Sequence, residues 1–437
     1  MAASTTGVKG RAQRRGLLAV VIACAAVVAG ALAPSRGAAP PLQAQPASAG
    51  FVGAARGHFT LDGAPWTFTG YDAYYAASLH TGYQCGPALS DQEVDSFFSE
   101  MQQRNGSLVL RTWFFQSFQN GNPANFAQYD RLLAAAAAHG IRVVATLSNQ
   151  WGACEPGHPY HSITWYQGGY RQTNDGYPLS FRDFAVSMAR HYANNPTIAM
   201  WQLVNEGEAA SSHGGSCNES AAAQALRSFG DDVTAGMKAV DPNHLVNLGT
   251  MGGGQCGTSG ADYAYVNGGR TDVCELHDYA HQVVMGGRTS GIVPDTHTCG
   301  GLGKPLFAGE VGIDASVLPN WSLSGVVTPV TLATRAVLFQ QKMDAMFSLG
   351  VSGFLIWSKT LTPSVSWHVG PGDPTEAVML AHQLRFDAVW ASLRGHGYGA
   401  GSGGTALSAE FAAIGTGLDN ALLSLSLSPG WLEDRVR

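Results

Sequence analysis

The sequence predicts a single α/β domain, a (β/α)8 barrel, and three observations carry that expectation. Eight short apolar, β-rich runs alternate with longer stretches of helical spacing, the pattern of parallel strands joined by crossover helices. The 437 residues exceed the roughly 250 that such a barrel needs, which leaves material for long loops. The connections after the first, third, fourth and sixth runs are long. In a barrel those connections open on the C-terminal face, where sites are built.

Each element has its own signal. Trp66–Tyr71 reads as strand one. Ser90-Asp91-Gln92-Glu93 is a capping box, and Val94, Phe97, Phe98 and Met101 follow it at helical spacing. Leu108–Phe114 is strand two. Phe126–His139 is an Ala-rich helix ended by Gly140. Arg142–Leu147 is strand three, and Ser180–Tyr192 is a helix that again opens Ser-x-x-Asp. Ile198–Val204 is strand four, and a long helix over Glu219–Val240 stops at Asp241-Pro242. Leu245–Gly249, Val273–His277 and Pro305–Ala308 are strands five, six and seven. Thr331–Leu349 is a helix closed by Gly350, Gly353–Trp357 is strand eight, and Glu376–Leu393 is the last helix. No helix is placed after strands five and six, where Gly and polar residues dominate.

The ends differ from this core. Lys9, Arg11, Arg14 and Arg15 precede an apolar run from Leu17 to Ala33, and Ala47-Ser48-Ala49 has the small residues of a cleavage site. Residues 1–49 therefore read as an export signal with a Pro/Ala-rich cleavage region. Arg14-Arg15 hints at twin-arginine export. The competing readings are a retained membrane anchor and lipidation at Cys24, although the apolar run continues past that cysteine. Residues 50–394 form the expected barrel domain. Residues 395–437 read as a Gly/Ala/Ser-rich tail.

Composition excludes some classes. With 45% hydrophobic and 13% charged residues, the chain has the means to bury a core and is no disordered polymer. Removal of residues 1–49 takes five basic residues and no acidic ones, leaving 20 Lys+Arg against 31 Asp+Glu. That acidic balance argues against nucleic acid as a partner. Six cysteines remain beyond Cys24, and an even number in an exported chain favours disulfides. Of the fifteen possible pairings, Cys85–Cys154, Cys217–Cys256 and Cys274–Cys299 would each tie neighbouring loops on one barrel face. No Cys or His spacing of zinc type is present, and His80, His158, His161, His213 and His281 show no ligand spacing, so no metal is expected. Gly252-Gly253-Gly254 lacks the rest of a dinucleotide fingerprint, so no cofactor is expected either.

Two acidic residues stand just past strand ends. Glu206 follows strand four in Trp201-Gln202-Leu203-Val204-Asn205-Glu206-Gly207, and Glu310 follows Pro305-Leu306-Phe307-Ala308-Gly309 of strand seven. Strand ends converge on the barrel axis, so both carboxyl groups can face one bound ligand. Cleavage of a glycosidic bond needs such a pair.

On these residues the chain resembles clan A glycoside hydrolases, and family 5 above all, over roughly residues 55–394. In that clan the acid/base Glu follows an Asn at strand four and the nucleophile Glu ends strand seven, matched here by Asn205-Glu206 and Glu310. An Arg on strand two is matched by Arg111, a His-x-Tyr at strand six by His277-Asp278-Tyr279, and a Trp ending strand eight by Trp357. The resemblance implies a retaining mechanism with carboxyl groups about 5–5.5 Å apart. It implies that Arg111 keeps Glu310 ionised, that Tyr279 orients the nucleophile, and that Asn205 binds the sugar 2-hydroxyl. His277 would bind substrate or tune Glu206, and Trp357 would floor the subsite at the cleaved bond. Glu206 would have a raised pKa, so that it is protonated at working pH.

The substrate follows from smaller features. Leu147-Ser148-Asn149-Gln150-Trp151 resembles the Leu-x-Asn-x-Trp of family 5 β-mannanases, with Asn149 and Trp151 on the site, and Arg111-Thr112-Trp113 leans the same way. Gly207, where those enzymes carry Pro, and Tyr71-Asp72 at strand one depart from the pattern. Tyr74, Tyr75, Trp113, Trp151, Trp165 and Tyr166 are candidates to stack on sugar faces. Glu208 and Glu275 lie near the site without matching motif positions; Glu208 reads as a loop residue within reach of substrate.

The expectation is thus a secreted endo-β-1,4-mannanase acting on a polysaccharide or oligosaccharide, with no stable membrane association after signal removal, as a monomer. The alternatives are an endo-β-1,4-glucanase or an exo-β-glycosidase of the same clan and, remotely, a non-catalytic carbohydrate-binding barrel.

Overall fold

A computed structural model describes residues 50–395 apart from 80–84, 87, 106–107, 156, 158–159, 174–175, 281–291 and 317–329. The expected signal segment lies outside the described residues, as does the expected tail except for Gly395, which ends the last helix. His80, His158 and His281 lie outside them too.

The barrel strands are β1 (Phe68–Asp72), β2 (Val109–Trp113), β3 (Arg142–Thr146), β4 (Ile198–Gln202), β5 (Leu245–Asn247), β6 (Cys274–Asp278), β7 (Leu306–Val311) and β8 (Gly353–Ile356). They pair in parallel in the order β5-β4-β3-β2-β1-β8-β7-β6. A parallel bridge between Asn247 and Val273 brings the two outer strands together and nearly closes the ring. Residues of β1 to β5, β7 and β8 are buried on both faces. Strands with helices outside and packed side chains inside must be so, which is why they read as continuous apolar runs.

All eight expected strands are present. Strand seven differs in extent: β7 runs on to Val311, so Glu310 stands within the strand rather than past its end. The expected helices are α1 (Asp91–Asn105), α2 (Ala127–Ala138), α4 (Phe181–Tyr192), α5 (Glu219–Lys238), α8 (Leu332–Ser348) and α9 (Thr375–Gly395). Their caps are the expected ones. Glu93 Oε2 accepts from the Ser90 N–H at 2.8 Å, and Ser180 Oγ accepts from the Asp183 N–H at 3.1 Å. Two short helices, α6 (Ala261–Asn267) and α7 (Ile292–Gly301), occupy the regions left unassigned, and α3 (Ile163–Gln167) sits in the loop after β3.

Sequence reading also overlooked a three-stranded antiparallel ribbon, Val52–Ala55, His58–Leu61 and Ala64–Pro65. Its Val52 and Phe59 join Phe68, Val109, Val144 and Phe307 in a buried cluster. The ribbon thereby adds apolar side chains to the cluster formed by the first residues of the barrel strands. Each buried aromatic of this kind contributes about 1.5–3 kcal/mol by leaving water.

The three expected disulfides, Cys85–Cys154, Cys217–Cys256 and Cys274–Cys299, are all formed. Among the described residues no helix is long and apolar enough to cross a membrane.

Candidate active site

The C-terminal ends of β1, β2, β4, β6 and β7 deliver Asp72, Arg111, Asn205-Glu206, His277-Tyr279 and Glu310 to one spot. One oxygen from Glu206, one from Glu310 and a ring nitrogen of His277 all lie within 4.8 Å of one another. Glu206 takes a left-handed backbone, φ 54°, which costs a non-glycine residue about 1–3 kcal/mol and recurs at functional positions. It is held there by its neighbours: Gln255 Nε2 donates to its carbonyl at 2.8 Å, and the Gly207 N–H donates to Gly249 O at 3.0 Å. Its carboxylate accepts from Trp151 Nε1 at 2.6 Å and faces His277 Nδ1 at 2.9 Å.

Glu310 is almost wholly buried. Arg111 Nη1 donates to its Oε1 at 2.7 Å, and the Tyr279 hydroxyl donates to its Oε2. Tyr279 is set by its surroundings: a Cβ on Gly312 would stand 2.4 Å from its ring, and Trp367 packs edge-on at 5.5 Å. Arg111 spends its remaining donors on Asp72 Oδ1 at 2.7 Å, Gln202 Oε1 at 2.9 Å and Asn205 Oδ1 at 2.5 Å. Asn205 Nδ2 in turn donates to Asn149 Oδ1 at 3.0 Å. The guanidinium is thus fixed in its plane and fixes four acceptors in return.

The charges do not balance in pairs. Four carboxyl groups, Asp72, Glu206, Glu275 and Glu310, share two cationic groups, Arg111 and His277. Burial pulls the His277 imidazole down, but the Glu310 charge and the hydrogen bonds to Glu206 and Glu275 outweigh it and lift the pKa to about 10. Burial works against ionised Glu206 as well, yet the His277 hydrogen bond and charge, the Trp151 N–H and Arg111 together hold it below the usual carboxylate range. Burial pushes Glu310 upward despite His277 and Arg111, with the Glu206 charge adding to the effect. Burial also drives Asp72 well above its ordinary range, against Arg111 and with Glu310. Both electrostatic expectations are therefore corrected. Glu206 is lowered, not raised, because its nearest charged partner is a cation rather than a carboxylate. Glu310 is raised although Arg111 touches it, because burial outweighs the nearby cations and the Glu206 charge adds to it.

The expected aromatic surface is smaller than the sequence suggested. Trp113, Tyr75 and Tyr166 are buried, so they offer no face to a ligand. Trp113 lies beneath Arg111 at 5.0 Å and stacks on Phe115, a supporting position. Trp165 is half-buried against His161. Trp151, packed near Tyr160 and His213, is a half-buried ring beside the Glu206 carboxylate, and Trp357 and Tyr74 are half-buried and stack on each other at 5.2 Å. The Glu208 carboxylate is engaged by the Tyr160 hydroxyl at 2.6 Å and the Cys256 N–H at 3.3 Å, so it ties loops together. Sequence reading missed Asp72, Gln202 and Glu275 as members of the network. Each is a buried polar residue within a barrel strand, and that was the available signal.

No family model matches the chain. In sequence it is similar to mannan endo-1,4-beta-mannosidase 2 of Oryza sativa, 26% identical over 44% of this chain and 45% of the rice protein. It is similar also to mannan endo-1,4-beta-mannosidase A of Hypocrea jecorina, 26% identical over 53% of each. The chain spans about half the length of the curated relatives it matches. In fold it superposes on the endo-1,4-beta-mannanase of Rhizomucor miehei with TM-score 0.58 at 19% identity, covering 78% of this chain and 99% of that one. The endo-1,4-beta-D-mannanase of Thermotoga petrophila RKU-1 superposes with TM-score 0.53 at 18% identity, covering 73% and 99%. By sequence and by its eight-stranded barrel, the chain is thus similar to the family 5 glycoside hydrolases of clan A, as the motifs implied.

Proposed function

We propose that the chain is a retaining β-glycoside hydrolase that cleaves β-1,4-linked mannan internally, with Glu206 as acid/base and Glu310 as nucleophile. One observation carries this reading: carboxylate oxygens of Glu206 and Glu310 lie within 4.8 Å of each other. A retaining enzyme needs carboxyl groups about 5–5.5 Å apart, whereas an inverting one leaves about 6.5–9.5 Å for a water.

In the first step a Glu310 oxygen attacks the anomeric carbon, and the bond to the leaving oxygen breaks with its electron pair. Glu206 gives that oxygen the proton held in the Glu206–His277 pair. In the second step Glu206 takes a proton from water, the water oxygen displaces Glu310, and the free carboxylate returns. Tyr279 and Arg111 orient Glu310 throughout. Asn205 has a second Nδ2 hydrogen for the sugar 2-hydroxyl. The half-buried rings of Trp357 and Trp151 support contact with sugar faces. Mannan as substrate rests on the names of the relatives, and three disulfides support export to an oxidising compartment.

The test is reducing-sugar release from β-1,4-mannan and carboxymethylcellulose in parallel, with Glu310→Gln as control. Release from mannan that the substitution abolishes is expected. Release from cellulose alone would discard mannan and keep the mechanism; activity surviving in Glu310→Gln would refute it.

A further inference from the structure

The barrel interior contains a carboxylate for which the mechanism above has no use. Glu275 on β6 is fully buried. Its Oε1 lies 3.1 Å from His277 Nε2 and 3.8 Å from Arg111 Nε, and its Oε2 accepts from Gln202 Nε2 at 2.5 Å. His277 therefore stands between two carboxylates, Glu275 on one ring nitrogen and Glu206 on the other.

Two features show that the place is built for a carboxylate. Gln202 cannot turn round, because its Oε1 already accepts from Arg111 Nε at 2.9 Å and from Thr146 Oγ1 at 2.7 Å. Its amide nitrogen must face Glu275, and the position requires an acceptor. On β7, Gly309 leaves the room. A Cβ there would stand 1.7 Å from Glu275 Oε1. The residue next to Glu310 thus lacks a side chain where this carboxylate lies.

We propose that Glu275 is a positioning residue for proton transfer: it holds the His277 ring doubly protonated against Glu206 and so retains the proton that Glu206 passes to the leaving oxygen. This rests on the glycosidase reading of Glu206. As the leaving oxygen departs, the Nδ1 proton of His277 passes through Glu206 to that oxygen, leaving Glu206 ionised and His277 neutral; in the second step Glu206 takes a proton from water and passes it back to Nδ1. No other bond changes. The charged and titratable groups around His277 are Glu206, Glu275 and Glu310 in contact, Arg111 and Asp72 from β2 and β1, and the Tyr279 phenol on Glu310. Behind the Glu275 backbone lie the Tyr263 hydroxyl of α6 and, beyond it, Asp295 of α7.

Two variants separate this role from plain core filling. In Glu275→Gln, the new amide has one acceptor for two donors, so its nitrogen meets either the Gln202 amide nitrogen or the protonated His277 Nε2. The exchange Gln202→Glu/Glu275→Gln restores that pairing in the opposite sense and keeps the net charge, but moves the charge from His277 towards Arg111. The primary readout is the 15N imidazole signal of His277, assigned by its loss in His277→Asn; the second is the alkaline limb of kcat/KM on mannan. The wild-type ring should stay doubly protonated through pH 9, in line with its raised pKa. In Glu275→Gln its titration should fall by about one to three pH units, and the alkaline limb should fall with it. The exchange should recover thermal stability and not the titration. Recovery of both by the exchange, or a wild-type titration in Glu275→Gln, would overturn the proposal. A wild-type chain inactive on every polymer, with the His277 titration still lowered in Glu275→Gln, would refute the glycosidase reading alone and leave the Glu275–His277 coupling intact.

Discussion

Substituting Trp151 by Phe isolates one cause of the low Glu206 pKa. The indole Nε1 donates to Glu206 Oε2 at 2.6 Å, and Phe removes that donor while keeping an aromatic ring near Tyr160 and His213. A hydrogen bond to an ionised acceptor is worth about 1.5–3 kcal/mol. The Glu206 side chain is 15% exposed, so water replaces part of the loss and the lower figure applies. At 1.36 kcal/mol per unit, the Glu206 pKa should rise by about one unit. The sign follows from the state lost: the N–H stabilises only the charged carboxylate, so its removal favours the protonated one. The assay is a 13C titration of glutamate side chains, with Glu206 assigned by its absence in Glu206→Gln. His277 and Arg111 remain in place, so the value should stay below what loss of all three partners would give. A Glu206 that titrates unchanged or lower in Trp151→Phe would show that the indole does not stabilise its charge, and the account of that pKa would fail.

Two other expectations concern different parts of the molecule. Gly309→Ala should displace Glu275, because the added Cβ would stand 1.7 Å from its carboxylate oxygen; the His277 15N titration should then fall as in Glu275→Gln, and an unchanged titration would show that the site accommodates the methyl group elsewhere. His382 is buried and stays neutral, its pKa lowered to about 3 by burial and then by Arg385. The unfolded chain takes up a proton below about 6.5 and the folded one does not, so stability drops as pH falls from 6.5 towards 3. By pH 5 the loss is about 2 kcal/mol. Urea unfolding at pH 7 and pH 5 should show that His382→Gln sheds this part of the acid sensitivity, and an equal pH slope in both proteins would contradict it.

The barrel was legible because seven of its strands are buried on both faces and therefore largely apolar, a pattern that survives without knowledge of their neighbours. Helix starts were legible where a side chain caps them, as Ser90 and Ser180 do. The N-terminal ribbon was not read, although its turns were written in the chain. Arg56-Gly57 and Asp62-Gly63 carry φ values of 52°, 81°, 53° and 77°, the paired left-handed conformation of tight hairpins. The ribbon strands run to four residues or fewer, too short for alternation to stand out. The helices α6 and α7 escaped for a similar reason: they are 7 and 10 residues long, in Gly-rich surroundings. The upper limit of strand seven failed because Gly309 looks like a terminator. In the fold it continues the strand through an irregular register between Ala308 and Glu310.

The site shows where reading residues in pairs stops working. Position along the strands was enough to bring Glu206, Glu310, Arg111, His277 and Tyr279 together, since strand ends in a barrel converge. Protonation was not, because it depends on the sum over every neighbour in a low-dielectric interior. Arg111 beside Glu310 suggests an easily ionised nucleophile, but burial outweighs that contact and the Glu206 charge adds to it. Glu206 near a second carboxylate suggests a raised pKa, but His277 stands closer, and Glu310, Glu206 and Glu275 together keep that ring a cation. Asp72 and Glu275, the two acids left out of that reading, are wholly buried within barrel strands. A charge in such a place has to be matched from within the barrel, because water does not reach it. An acid in an apolar strand run is therefore a marker of the buried network, and it should be weighed together with the motif residues when a protonation state is assigned.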